Sequence, residues 1–578
     1  MFRFLVNNKF FNVLLSISYI LAIIALLVMF GFGFPVVYKL YINIFFIILL
    51  SIGILRTILK YIYFKEKIIP RVIIFDILSI LFILYCIKIQ VTDYSWFFVS
   101  KYLQFAIVLK LIREIATPNF TFKRSVITPP QLFIFSFFIL VFGGACLLML
   151  PKATYHPISF LDALFTSTSA VCVTGLTSVD TYVTYTPVGH FILMLLIQAG
   201  GLGILTFAGY IAYFFKGNSS YENQIALGSI ANNDSLSEVF SFVKKIIYLT
   251  FGIELVGAAL IYISIAPYNI SIVDKLFFSI FHSVSAFCNA GFSTLPNGLM
   301  NKGFVHNYGF QSVLITLIFL GGIGFPILIN ILRYVDYLIR KLISKIIHNK
   351  NNRKNWVFSL SSKVNLITSL VILIISTIIL FFEEYYLTLG QHHGFGKFIS
   401  ALFVAMTPRT AGFNNIDFSH LQFSSILLVI LLMWIGASPA STGGGIKTST
   451  FAIAILNFIN IARGKNKIEI YKRELNPINV QKAFATMTLS FLVIGTGIFL
   501  ITKFDNHLHL IDVAFEAFSA YSTVGLSLNL TPTLSDPSKI VVITMMFIGR
   551  VSMITILMAF FKKTVSSNYR YPSDDILI

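Results

Sequence analysis

Charge is what this chain has least of. Asp, Glu, Lys and Arg make up 11% of its 578 residues, where a soluble domain carries roughly 25%. With 57% hydrophobic residues, an ordinary soluble globule is excluded. Cysteine is also scarce. Cys86, Cys146, Cys172 and Cys288 all lie in or beside apolar stretches and none forms a CxxC pair, so neither a disulfide frame nor a zinc site is implied. Acidic residues are few, and Asp162, Asp512 and Glu516 assemble no catalytic set with a nucleophile or base. A membrane-embedded enzyme, the alternative from a different class, is disfavoured on that ground. Met1–Phe10 runs into a long apolar stretch with no small-residue cleavage site, so no cleavable leader is expected.

Long apolar runs are abundant. Stretches of about 20 residues, the length of a membrane-crossing helix, recur from end to end. Spans are expected near 11–33, 36–59, 72–92, 96–115 and 131–151. The pattern predicts a multi-pass, all-α protein in contact with membrane lipid. The net charge of +20 would suggest nucleic acid in a soluble protein. Here the basic residues sit in short loops and read as topology, with no nucleic-acid partner. Those loops are Arg56–Arg71, Arg113–Arg124, Lys216–Lys245, Arg333–Lys363 and Arg463–Lys482. They belong in the cytoplasm, together with the N-terminus beside Arg3 and Lys9.

From about Gln131 a unit recurs: a long apolar helix, a shorter amphipathic stretch, a glycine-centred turn and a second apolar helix. The four copies are LDALFTSTSAVCVTGLTSVD, VDKLFFSIFHSVSAFCNAGFSTLPNG, FGKFISALFVAMTPRTAGFNNIDFS and LIDVAFEAFSAYSTVGLSLNLTP. Their glycines, Gly175, Gly291, Gly412 and Gly525, are spaced by 116, 121 and 113 residues. Near-equal periods argue for a fourfold internal repeat. The residues before each glycine are Val173-Thr174, Asn289-Ala290, Thr410-Ala411 and Thr523-Val524. Those after are Leu176, Phe292, Phe413 and Leu526.

Irregular backbone at membrane depth survives only where protein buries it or water lines it. Four such turns around one axis would present rings of carbonyl oxygen, the device by which a filter replaces a cation's hydration shell. Glycine supplies the positive φ and keeps side chains out of the path. The preceding short helix would aim its partly negative C-terminus at the ion.

On these four motifs, the stretch from Gln131 to about Lys563 resembles the Trk, Ktr and HKT superfamily of potassium transporters, in its KtrB and TrkH type subunits. The resemblance implies four membrane–pore–membrane units around one pore; about four extra helices precede them here, a departure from the simplest family plan. The divisions are 1–126, 127–245, 246–363, 364–480 (which holds an intramembrane gating loop) and 481–578. It also implies potassium uptake across a bacterial inner membrane, with no cofactor bound by this chain. Glycine at 175, where serine marks sodium-preferring relatives, favours potassium. A sodium-permeable transporter, or one coupled to sodium or protons, is the alternative within the family. Implied partners are a second copy of the chain and a cytoplasmic nucleotide-binding ring of the KtrA or TrkA type.

Other residues draw attention. Pro439 and Gly443-Gly444-Gly445 interrupt MWIGASPASTGGGIKTSTF. They read either as a kink filled by neighbours or, preferably, as a loop within the membrane. By resemblance Gly443, Gly444, Gly445 and Lys447 form a gating loop. Arg550 lies in an apolar run and should face a cavity or partner. By resemblance it holds that loop and sets a positive barrier. Gln198–Gly203 and Gly321–Gly324 read as close helix packing, and Arg409 as a brace behind its turn. His392 and His393 are expected in solvent, and Glu383 and Glu384 at the membrane interface. Asp76, Lys110 and Arg113 suggest a packing or assembly role for the first helices, since a voltage sensor needs more arginines.

Overall fold

The computed structural model describes residues 36–63, 70–92, 101–115, 129–214, 236–268, 271–301, 303–348, 359–465 and 467–561, with scattered positions between 15 and 31. Arg3, Lys9, Arg124 and Lys216, used above to assign sides, lie outside the described residues, as do Lys350, Arg353 and Lys354 within the Arg333–Lys363 loop. The chain forms two compact units. One comprises Met1–Ser125 with Leu150–Ala153, the other Val126–Met149 with Thr154–Ile578.

The first unit contains helices Val36–Tyr63, Pro70–Thr92 and Lys101–Ile115. Its core joins Tyr19, Phe46, Leu50, Ile83, Cys86, Leu103 and Ala106. The ionisable residues within it are bonded inward. Lys110 Nζ donates to Thr57 Oγ1 at 2.8 Å, and the Tyr61 hydroxyl donates to the Asp76 carboxylate. Polar groups satisfied in this way fix helix packing.

In the second unit a long helix followed by a short one and then by a further helical segment occurs four times. The first helices are Pro129–Leu148, Leu236–Ser264, Leu360–Glu383 and Pro477–Phe504. The short helices are Phe160–Val171, Ile272–Phe287, Phe395–Met406 and Leu510–Ser522. Two of the short helices start at a capping serine. Ser159 Oγ accepts from Asp162 N at 3.0 Å, and Ser271 Oγ accepts from Asp274 N at 3.2 Å; each cap satisfies an otherwise orphaned donor.

The last helices differ. Pro187–Phe214 runs unbroken. The second copy bends by 107° between Tyr308–Ile323 and Phe325–Ile339, with Gly324 at φ 98°. The third stops at Trp434 and resumes at Thr448, and the fourth breaks at Ser552 between Asp536–Val551 and Met553–Phe560. Among the described residues four helices are each long and apolar enough to cross a membrane: Tyr38–Leu59, Lys244–Ser264, Leu360–Glu383 and Pro477–Phe504. The bent pair makes a fifth.

Small residues let the last helices approach the ends of the short ones. A Cβ on Gly200, Gly321 or Gly549 would strike the carbonyl oxygen of Val171, Phe287 or Tyr521, each in the last turn of a short helix. Close packing is thus the role of Gly200 and Gly321. Gly324 is closely packed too, since a Cβ there would strike Pro439 O, and its positive φ also makes it the bend itself.

One expectation is corrected. His392 is buried between the Tyr308 hydroxyl (3.2 Å) and Ser400 Oγ (3.1 Å), while His393 is exposed. A one-turn helix, Thr388–Gln391, turns His392 inward. Glu384 is also buried. Its carboxylate accepts from Gln422 N at 3.0 Å and Thr388 Oγ1 at 2.9 Å, capping the helix that starts at Phe423 rather than facing solution.

Candidate functional site: a ring of four glycine turns

Each short helix ends just before its glycine, and the chain then turns back on itself. The residue two before the glycine is left-handed in all four copies: Val173 (φ 57°), Asn289 (60°), Thr410 (68°) and Thr523 (51°). The glycines also have positive φ, at 98°, 70°, 72° and 94° in chain order. Left-handed backbone is costly for β-branched residues, so three of these four positions hold a strained conformation that the surroundings impose. Alternating the sign of φ turns successive carbonyls toward one face.

The same backbone is tied to the short helix behind it. The N–H of Thr174 donates to Ser169 O (2.7 Å), that of Ala290 to Ser285 O (2.7 Å), that of Ala411 to Thr407 O (3.0 Å) and that of Val524 to Ser519 O (2.9 Å). Hydroxyls reinforce it. Gly175 N and Gly525 N donate to Ser169 Oγ (3.0 Å) and Ser519 Oγ (3.1 Å). Ser285 Oγ and Thr407 Oγ1 donate to the carbonyls of Phe292 (2.8 Å) and Phe413 (2.7 Å). Removing Ser169 and Ser519 together as alanines would leave two amide donors unpaired. We expect roughly 1–3 kcal/mol lost per site, read as a lower unfolding temperature of the purified protein.

The four turns meet. A Cβ on Gly175 would press on Ala290 O and Gly291, one on Gly291 on Ala411 O and Gly412, one on Gly412 on Val524 O and Gly525, and one on Gly525 on Thr174 O and Gly175. Glycines far apart in sequence therefore close a ring, with the carbonyls of Thr174, Ala290, Ala411 and Val524 set among them. The flanking side chains are spent outward. Leu176, Phe292, Phe413 and Leu526 are buried and join three separate core clusters. Backbone alone is left facing the ring.

On the side of the residues that follow the glycines, a cavity of about 350 Å³ opens. Gly175, Gly291, Gly412 and Gly525 line it together with Asp180, Asn414 and Ser527. Nearby, Lys539 Nζ meets Asp162 Oδ1 at 2.9 Å, joining the last helix of the fourth copy to the short helix of the first. On the other side lies the interruption between Trp434 and Thr448. Gly443 packs on Thr410 and Gly444 on Thr523, so closely that neither has room for a side chain. Two of the four left-handed residues, Thr410 and Thr523, thus touch this loop directly.

The loop is held from several directions. Thr442 Oγ1 donates to Phe287 O at 3.3 Å and Ser438 N to Gly322 O at 3.0 Å. Lys447 Nζ folds back on Gly443 O at 2.7 Å. Arg550, buried, donates to Thr442 O and to Gly200 O, the latter at 2.6 Å. Carbonyl partners accept from both cations without cancelling their charge, and Arg550 Nε is left with no hydrogen-bond partner among the described residues. Arg409 is turned away from the ring, donating to Ser369 O (3.1 Å) and Ser369 Oγ (3.0 Å).

The structure brings together every residue that the sequence singled out around the glycines and the interruption. It adds the hydroxyl column Ser169, Ser285, Thr407 and Ser519, which the sequence reading missed. That column is visible in the four aligned segments as a Ser or Thr five or six positions before the glycine.

Comparison with known proteins follows the same outline. Residues 103–570 match the TrkH family model, described as a cation transport protein. The chain is 37% identical over 452 residues to the Ktr system potassium uptake protein B of Bacillus subtilis, covering 78% of this chain and 96% of that one. It is 33% identical to the potassium/sodium uptake protein NtpJ of Enterococcus hirae, covering 79% and 98%. Among solved structures, the potassium transporter TrkH of Vibrio parahaemolyticus superposes with a TM-score of 0.60 over 84% of this chain and 97% of that one, at 16% identity, a likeness of fold. These relatives are transporters, not enzymes. The chain belongs to the TrkH family of cation transport proteins.

Proposed function

We propose that this protein takes potassium into the cell through the ring at Gly175, Gly291, Gly412 and Gly525. The single observation that carries the reading is the mutual contact of these four turns, with carbonyls and no side chains at their centre. A dehydrated monovalent cation needs such an oxygen cage. The filter comprises Val173–Leu176, Asn289–Phe292, Thr410–Phe413 and Thr523–Leu526. Four membrane–pore–membrane repeats surround it, and the three described N-terminal helices are an addition that packs or assembles the protein. The four short helices point their C-terminal ends toward the ring and add negative potential there.

The loop carrying Gly443, Gly444, Gly445 and Lys447 is the gate. Arg550 holds it shut against Thr442 and places a positive charge below the filter. A cation leaving the ring meets that charge, so conduction requires the loop to move. No resident cofactor is invoked; potassium is cargo. A cytoplasmic nucleotide-binding ring is the partner that would move the gate, and a second copy of the chain completes a homodimer in a bacterial inner membrane with the N-terminus inside. The name of the Enterococcus relative keeps sodium as a second permeant or coupling ion.

Expression in bacteria stripped of their potassium uptake systems, at low external potassium, tests the reading. Growth should be restored when the chain is supplied with a cognate cytoplasmic partner. Failure to restore growth despite membrane insertion and the partner would reject potassium as the cargo.

A further inference from the structure

The second copy contains a feature that the filter and gate do not use. Its last helix leaves the outer side at Tyr308 and runs only 16 residues to Ile323, about 24 Å at 1.5 Å per residue. That is short of the roughly 30 Å hydrocarbon layer. The 107° bend at Gly324 then sends Phe325–His348 nearly along the membrane plane. The neighbouring helix Leu236–Ser264 is a single element, and its Ile246 packs with Phe325 and Ile329 of the transverse helix.

Between the two lies an apolar groove of about 550 Å³. Gly252, Val256 and Leu260 form one wall, Val313 and Leu320 the other, and Leu332 of the transverse helix its inner end. Gly252 is what makes it deep, since a Cβ there would meet nothing within 4 Å. The transverse helix is amphipathic. Leu332, Val335 and Ile339 are exposed apolar residues on it, and Arg333, beside the groove's end, is exposed. Its sequence adds Arg340, Lys341 and Lys345 against the single acid Asp336. Basic amphipathic helices of this kind lie in the interface and attract anionic lipid, each Lys or Arg contributing about 1 kcal/mol.

We propose that this groove binds one anionic phospholipid, its acyl chain between Gly252 and Val313 and its phosphate on the basic face that begins at Arg333. Charge complementarity chooses this occupant, because the groove is apolar along its length and Leu332, at its end, is followed in the chain by the exposed Arg333. A zwitterionic lipid such as phosphatidylcholine offers a phosphate too, but its own cation offsets that charge, so it gains less from the basic face. The inference requires only that the chain lies in a membrane and is independent of the filter.

Native mass spectrometry of the full chain, delipidated and then offered phosphatidylglycerol or phosphatidylcholine, reads it directly. The wild type should retain one phosphatidylglycerol in preference to phosphatidylcholine. Arg333→Gln should weaken that retention about fivefold, the worth of one basic residue at an anionic surface. Gly252→Leu should fill the groove and abolish the preference. The leucine enters open space and favours the helix, so its unfolding temperature should not fall. Equal retention of both lipids, or a preference that survives both variants, would overturn the proposal. So would a lipid-free dimer that Gly252→Leu splits into monomers, for then a second copy covers the groove.

Discussion

Gly175→Ser should keep the protein in the membrane and strip it of its preference for potassium. The serine Cβ would collide with the carbonyl of Ala290 and the backbone of Gly291, and φ at 98° already disfavours any L-residue. Relief requires the first turn to withdraw, which displaces the Thr174 carbonyl from the ring. Strain of this kind costs roughly 1–3 kcal/mol, and a cation that loses one of its ligands feels a loss of similar size. The ratio of potassium to sodium uptake, measured with rubidium and sodium tracers in cells, should therefore fall by roughly ten- to a hundredfold. Leu176 and the other flanking residues pack away from the ring, so the rest of the fold has no reason to change. An unchanged ratio at reduced total flux would place selectivity elsewhere.

Arg550→Gln should have the opposite character, with more flux and the same selectivity. The guanidinium joins Thr442 of the interrupting loop to Gly200 of the first copy. Glutamine is too short to reach both and carries no charge. A charge-assisted hydrogen bond contributes about 1.5–3 kcal/mol. Losing it should raise the open population by roughly ten- to a hundredfold, and the positive charge below the ring vanishes as well. Reconstituted vesicles without any cytoplasmic partner should then take up rubidium where the wild type barely does. Unaltered or lower uptake would mean that Arg550 supports the open form, or the fold alone.

Both results rest on features of different legibility in the sequence. The glycine ring was readable because a repeat aligns four positions that lie more than a hundred residues apart. Spacing alone implied that they share a geometry. The interruption at Pro439–Gly445 was readable because proline and glycine break helices by local rules. Less visible was anything set by one turn's contact with another. The left-handed backbone at Val173 and Thr523 contradicts local preference and arises from tertiary restraint. The pairing of Arg550 with Thr442 spans 108 residues, and no periodicity announces it. His392 was misplaced for the same reason. A polar residue in a short connection carries no pattern that tells burial from exposure, and His392 is buried because hydrogen bonds with Tyr308 and Ser400 satisfy it.

The contact between the four turns is the observation on which the function depends, and a heavy cation would make it visible. Crystals of this chain grown in rubidium or thallium salts, measured for anomalous scattering, should show density at the centre of the ring, within coordinating reach of the carbonyl oxygens of Thr174, Ala290, Ala411 and Val524. That density should disappear when the salt is changed to sodium. A ring formed as described but empty of rubidium and thallium would contradict the assignment of these carbonyls as the site that selects potassium.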